Sequence, residues 1–129
     1  MSERLTSETA TMQGMPDPSH LVLARVHGVA ARSDDLRAAA EELADWSAAQ
    51  KGCVRFEVSA APGANAELVL LSAWRSERDM RAHFTSEGYG RYVSAVTDLL
   101  TRPSDVTIYS ISGTVHPIPD LSTEPLRAS

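Results

Sequence analysis

The chain has 129 residues, enough for one domain with its own core and too few for two. A hydrophobic content of 43% and a charged content of 22% are ordinary for a globular protein. The net charge of −5, with arginines scattered rather than clustered, excludes a general nucleic-acid binder and disfavours an anionic membrane surface.

In chain order, residues 1–19 are rich in Ser, Thr, Met and Pro without periodicity and read as a loose arm. That opening segment has no apolar core of signal-peptide length, and no run reaches the roughly 18 apolar residues of a membrane span. With one cysteine, Cys53, and hence no internal disulfide, the expectation is a reducing, cytoplasmic setting.

Residues 20–27 (HLVLARVH) alternate and stop at Gly28, which predicts a first strand. Ser33 is a suitable N-cap, Asp34 and Asp35 suit a first helical turn, and Leu36, Ala39, Leu43 and Trp46 recur at helical spacing. This helix is expected to run through Gln50 and close on Lys51-Gly52. Residues 53–60 (CVRFEVSA) alternate, with Val54, Phe56 and Val58 on one face and Cys53, Arg55 and Glu57 on the other. After the turn-forming APGAN, residues 67–74 (ELVLLSAW) are nearly all apolar and read as a central strand covered on both faces.

Ser76 followed by Asp79 resembles a capping box, and the short helix beyond it carries Met80, His83 and Phe84 on one face. A break at Thr85-Ser86 precedes a second stripe of Tyr89, Tyr92, Val93, Val96, Leu99 and Leu100, which ends before Pro103. Residues 105–114 (DVTIYSISGT) predict a fourth strand, and the proline-rich tail 115–129 is expected to be extended. The order β-α-β-β-α-β is the ferredoxin-like plan, an α+β fold with a four-stranded antiparallel sheet and helices on one face. The uncovered face mixes Arg25, Arg55 and Glu57 with apolar neighbours, which predicts a homodimer interface.

The sequence KGCVRFEV, then ELVLLSAW, then the Trp–His spacing into AHFTSEGYGRY resembles the antibiotic biosynthesis monooxygenase family, across residues 20–114. The resemblance implies a dimeric α+β barrel. It also implies a cofactor-independent oxidoreductase that oxidises an aromatic, quinol-like or polyketide-derived substrate with O₂. In the anthrone-oxidising members a strand Asn stands four residues before the Trp and a Tyr six after it; here those positions hold Leu70 and Met80. The haem-degrading members carry an Asn near the position of Val26. Many members place a His where His83 stands, as this chain does.

His83 is therefore the candidate catalytic base, because imidazole has an unperturbed pKa near neutrality, or else a core histidine satisfied by a carbonyl. Trp74 joins it as the second candidate catalytic residue, either capping the core or stacking on a planar ligand. Four of the seven aromatics (Trp74, Phe84, Tyr89 and Tyr92) fall between residues 74 and 92, which points to a pocket in this region. Ser72, Leu70, Met80, Phe84, Tyr89 and Tyr92 are its predicted lining. Arg25 and Arg55 are candidates to stabilise an anionic substrate, but strand parity assigns them to the interface, with Glu57 as partner.

The four histidines lack metal-ligand spacing, Cys53 has no partner for a nucleophile pair, and EGYGRY lacks the strand and Lys of a phosphate loop. No metal or nucleotide cofactor is implied. Two other classes stay open: a non-catalytic dimeric module that binds a small ligand or regulates a partner, and isomerase or decarboxylase chemistry on a small acid.

Overall fold

In the computed structural model, residues 17–61 and 66–114 are described. The predicted tail and most of the predicted arm and APGAN turn lie outside them. Strand β1 (His20–His27), helix α1 (Ser33–Ala48), strands β2 (Cys53–Ala60) and β3 (Glu67–Trp74), helices α2 (Glu77–Phe84) and α3 (Glu87–Val96) and strand β4 (Asp105–Ser110) follow the predicted order. The four strands form one antiparallel sheet in the order β2-β3-β1-β4, which is the ferredoxin-like arrangement.

Strand parity sorts the side chains. Val22, Ala24 and Val26 of β1 and Leu68, Leu70, Ser72 and Trp74 of β3 face the helices, as do Phe56 and Val58 of β2. Leu36, Ala40 and Leu43 of α1 and Tyr92 and Val96 of α3 close over them to form the main core. A second cluster of Val22, Trp74 and Met80 fills the end of the sheet under α2. The opposite sheet face carries Leu21, Leu23, Val69 and Leu71, all half-buried, with an Arg55–Glu57 ion pair at 3.0 Å beside them.

Several local expectations need correction. A 3-10 turn over Ala30–Arg32 runs directly into α1, so Ser33 is its first helical residue and Arg32 holds the cap position without a side-chain cap bond. Helix α1 ends at Ala48 rather than Gln50, and Gly52, at φ +83°, serves the turn into β2. The register of β2 slips between Cys53 and Arg55, which puts Cys53 opposite Trp74 and packs it into the cluster under α2. A bulge adds one residue to a strand and so breaks the two-residue alternation on which the prediction rested. Strand β4 stops at Ser110, although Ile111 still donates its N–H to the Ser19 carbonyl at 2.8 Å.

The Ser76 cap and the break at Thr85-Ser86 stand as predicted, and the structure adds a second cap at Ser86. Ser76 accepts the Asp79 N–H at 3.0 Å, which caps α2, and Ser86 accepts the Tyr89 N–H at 3.3 Å, which caps α3. Helix α3 lies close on α1 because Gly88 has no side chain: a Cβ there would come within 2.2 Å of the Trp46 ring.

Candidate functional site

Residues of β3 and β1 facing the helices, and residues of α2 and α3 facing the sheet, enclose a cavity of about 50 Å³. Its sheet wall is built in rows. Phe56, Ser72 and Val22 lie abreast in one row, which Ile108 continues outside the lining, and Leu70, Ala24 and Val106 form the next, which Val58 continues outside the lining. His83, Phe84, Tyr89 and Tyr92 form the helical wall, and Leu43 and Val26 close the side toward the main core. The cavity opens along β4, where Ser104 and Val106 line it and the helices no longer cover the sheet. Val106 and Ile108 are 48% and 49% exposed although they point to the helical side.

His83 is the centre of the helical wall. It is 4% exposed and lies among four aromatic rings, with centroid separations of 4.8 Å to Trp74, 5.1 Å to Phe84, 5.2 Å to Tyr89 and 5.7 Å to Phe56. Its backbone carbonyl is fixed by the Ser86 hydroxyl, which donates at 2.6 Å. Its Nδ1 is buried and has no hydrogen-bond partner among the described residues. Satisfaction by a carbonyl, the alternative raised by the sequence, is therefore not seen at this nitrogen. Burial disfavours the charged imidazolium and lowers the pKa from 6.5 to about 4, so the expected base titrating near neutrality is instead an uncharged imidazole throughout the physiological range.

Burial acts on the tyrosines in the opposite direction. Tyr89 is raised above the usual phenol value, and Tyr92 is pushed up to about 12 by burial first and by the neighbouring Tyr89 second. Both remain protonated donors at neutral pH.

Six of the eight predicted site residues line the cavity or its polar end: Leu70, Ser72, His83, Phe84, Tyr89 and Tyr92. Trp74 and Met80 lie outside the lining. Trp74 is fully buried behind His83, and its indole N–H donates to Ser72 Oγ at 3.0 Å; Met80 packs on Trp74 in the smaller core cluster. Sequence reasoning left out Phe56, whose place on the inward face of β2 was legible from alternation. It also left out Ser104 and Val106, for which only the pairing of β4 with β1 gives the signal.

A broader groove of about 720 Å³ lies open between α1 and α3, lined by Trp46, Leu43, Glu42, Arg91 and the two α3 glycines. It shares the buried Tyr92 phenol with the enclosed cavity but lacks His83, so the enclosed cavity is the better candidate site. Among the described residues no group of three His, Cys, Asp or Glu side chains is placed to hold a metal ion, and no helix is long and apolar enough to cross a membrane.

The antibiotic biosynthesis monooxygenase family model matches residues 19–95, more than half of the chain. The chain belongs to the antibiotic biosynthesis monooxygenase family. Membership carries a monooxygenase-type or small-molecule-binding role. Solved structures agree on the fold of this family member. One from Mycobacterium tuberculosis is 28% identical with a TM-score of 0.70, over 75% of this chain and 98% of that one. A Deinococcus radiodurans structure bearing the family's name is 16% identical with a TM-score of 0.72, over 77% and 98%. One from Nitrosomonas europaea, bearing the same name, is 18% identical with a TM-score of 0.69, over 73% and 99%. No curated protein matches the chain.

Proposed function

We propose that this family member is a cofactor-independent monooxygenase that oxidises an aromatic, quinol-like or polyketide-derived substrate with O₂. The observation that carries the reading is His83: a nearly fully buried imidazole with an unpartnered nitrogen, caged by aromatic rings in the wall of a cavity. A buried polar atom without a partner costs about 1–3 kcal/mol, and a ligand that supplies the partner recovers it.

The reaction is a four-electron reduction of O₂ balanced by the substrate. In an anthrone-type ring a CH₂ flanked by aromatic groups becomes C=O, and in a quinol a ring C–H becomes C–OH while the two hydroxyls become carbonyls. In both, one oxygen atom enters the substrate and the other leaves as water with two hydrogens. All electrons come from the organic substrate once it is ionised to a carbanion or phenolate, and this makes proton removal the step that the protein must assist. The uncharged His83 is ready to accept that proton. A conjugate acid of pKa about 4 is a weak base alone, but an anion formed in contact with the imidazolium raises that value, because opposite charges within about 4–6 Å favour the charged forms.

The cavity volume limits how the ring sits. Benzene fills cavities on the order of 150 Å³, so a planar substrate does not fit within about 50 Å³. Its oxygen-bearing edge enters toward Ser72 and His83, and the remainder lies across the mouth on Val106 and Ile108.

The site functions in a homodimer, with the uncovered sheet face as the interface. Leu21, Leu23, Val69 and Leu71 on that face, beside an exposed Tyr109, support this assignment. The arginines and Glu57 fit its polar rim.

A second reading, a non-catalytic module that binds such ligands, is favoured by the lowered pKa of His83 and by apolar side chains at Leu70 and Met80. An oxygen electrode separates the two. Oxidation predicts substrate-dependent O₂ consumption by purified protein with an anthrone or quinol, matched by product formation and absent under nitrogen. Tight binding without O₂ uptake across that panel supports the module; turnover under nitrogen supports the isomerase class.

A further inference from the structure

Trp74 has its only polar atom committed inside the protein. Indole Nε1–H is a donor and cannot accept, and here it donates to Ser72 Oγ at 3.0 Å, with Trp74 fully buried and Ser72 4% exposed. A serine hydroxyl has one proton to give and two lone pairs. With one lone pair engaged by the indole, the hydroxyl is held with its own proton turned away from Trp74. Among the described residues the indole bond is the one hydrogen bond of the Ser72 side chain, and Ser72 lines the cavity.

We infer that Ser72 donates a hydrogen bond to an oxygen of the bound ligand, and that Trp74 is the positioning residue that fixes this donor. The ligand class that follows is a flat molecule with an acceptor oxygen at its edge: a phenolate, an enolate or a conjugated carbonyl. This rests on the cavity being the ligand site, as proposed above, and adds which group reads the oxygen.

The geometry favours an acceptor over a donor on the ligand. Ser72, Tyr89, Tyr92 and Ser104 each bring an O–H to the cavity lining, and among the described side chains that line it only the neutral imidazole of His83 offers a basic nitrogen. Ser72 belongs to β3, two strand spacings from β4, a span of roughly 10 Å. That places the oxygen-reading group at the inner end of the cavity, with Val106 and Ser104 at its mouth; of the two serines, Ser72 is the one whose hydroxyl is held by an indole. Trp74 thus acts through Ser72, and a ligand that reached past Ser72 to the indole would have to break the existing bond.

The test is anaerobic binding of 4-nitrophenol, whose visible absorbance reports the ionisation of the bound phenol. In Ser72→Ala the bound phenol should be about tenfold less acidic than in the wild type, the loss of one hydrogen bond to a charged oxygen. Ser72→Thr should restore the wild-type value. Trp74→Phe should match Ser72→Ala, and the double variant should be no worse than either single one. Independently of any Trp74 variant, the Trp74 indole proton resonance should move in Ser72→Ala and stay in place when nitrophenol binds to the wild type. Unchanged acidity in Ser72→Ala, additive losses in the double variant, or a large indole shift on ligand binding would each overturn the inference. Absence of nitrophenol binding overturns it too, whatever the O₂ assay shows, whereas binding with the expected shifts and no O₂ uptake removes only the oxidation.

Discussion

At the residue scale, two buried polar side chains without partners among the described residues have opposite meanings. Ser47 is fully buried in α1 with an unpartnered hydroxyl and lies outside the cavity lining, so it offers nothing to a ligand. Ser47→Ala is expected to leave stability unchanged or raise it by up to about 1 kcal/mol in urea unfolding, since it removes a desolvated group while keeping most of the volume. His83 carries a pH signature instead. Its native pKa of about 4 lies below the ordinary 6.5, so the unfolded chain binds the proton more tightly. The stability it contributes is complete above pH 6.5 and is lost as the pH falls toward 4, by at most about 3 kcal/mol. The stability difference between wild type and His83→Gln should therefore change by this amount between pH 7 and pH 4, against the wild type; a constant difference contradicts the buried neutral state. The identity of both residues is plain in the sequence, but neither their burial nor the absence of partners is, because those depend on which elements close over them.

At the element scale, the placement of α2 and α3 decides the site. The Ser76 cap starts α2 immediately after β3 ends, which carries His83 back over Ser72 and Trp74. Ser76→Ala should cost about 1 kcal/mol of stability in thermal or chemical unfolding. Helix α3 depends on the closeness allowed by Gly88. Gly88→Ala is expected to cost about 1–3 kcal/mol, because a methyl group there meets the Trp46 ring rather than a movable chain end. Gly90→Ala is its control: no atom lies within 4 Å of a Cβ at Gly90, so it should stabilise the helix slightly. The element order, the helix start at Ser76, the break at Thr85-Ser86 and the inward faces of β1 and β3 were legible from periodicity and capping chemistry. The slip of β2 at Cys53 and the 3-10 entry into α1 were not, because each inserts residues that obey neither the strand nor the helix period. For the same reason the predicted face of Cys53 was reversed.

At the scale of the whole molecule, the sheet has two unequal faces. One holds the core and the cavity; the other combines half-buried Leu21, Leu23, Val69 and Leu71 with charged neighbours and is covered by no helix among the described residues. The proposed homodimer should sediment at twice the chain mass at micromolar concentration, and Leu23→Glu should shift it toward monomer; a wild-type monomer would remove the barrel from the account. The sequence carried the fold well because four strands and three helices follow strong local patterns. The site was legible only in part, since the mouth at Ser104 and Val106 exists through pairing between chain segments some eighty residues apart.

In the proposed reaction His83 is the group that takes the substrate proton. The direct measurement is substrate-dependent O₂ consumption at pH 7 by wild type and by His83→Gln, with an anthrone or quinol and with folding checked by circular dichroism. A general base contributes about 10²–10⁴-fold, so the account predicts a fall in kcat/KM of at least about a hundredfold. A variant that consumes O₂ within about twofold of the wild-type rate, well below any general-base contribution, would contradict it.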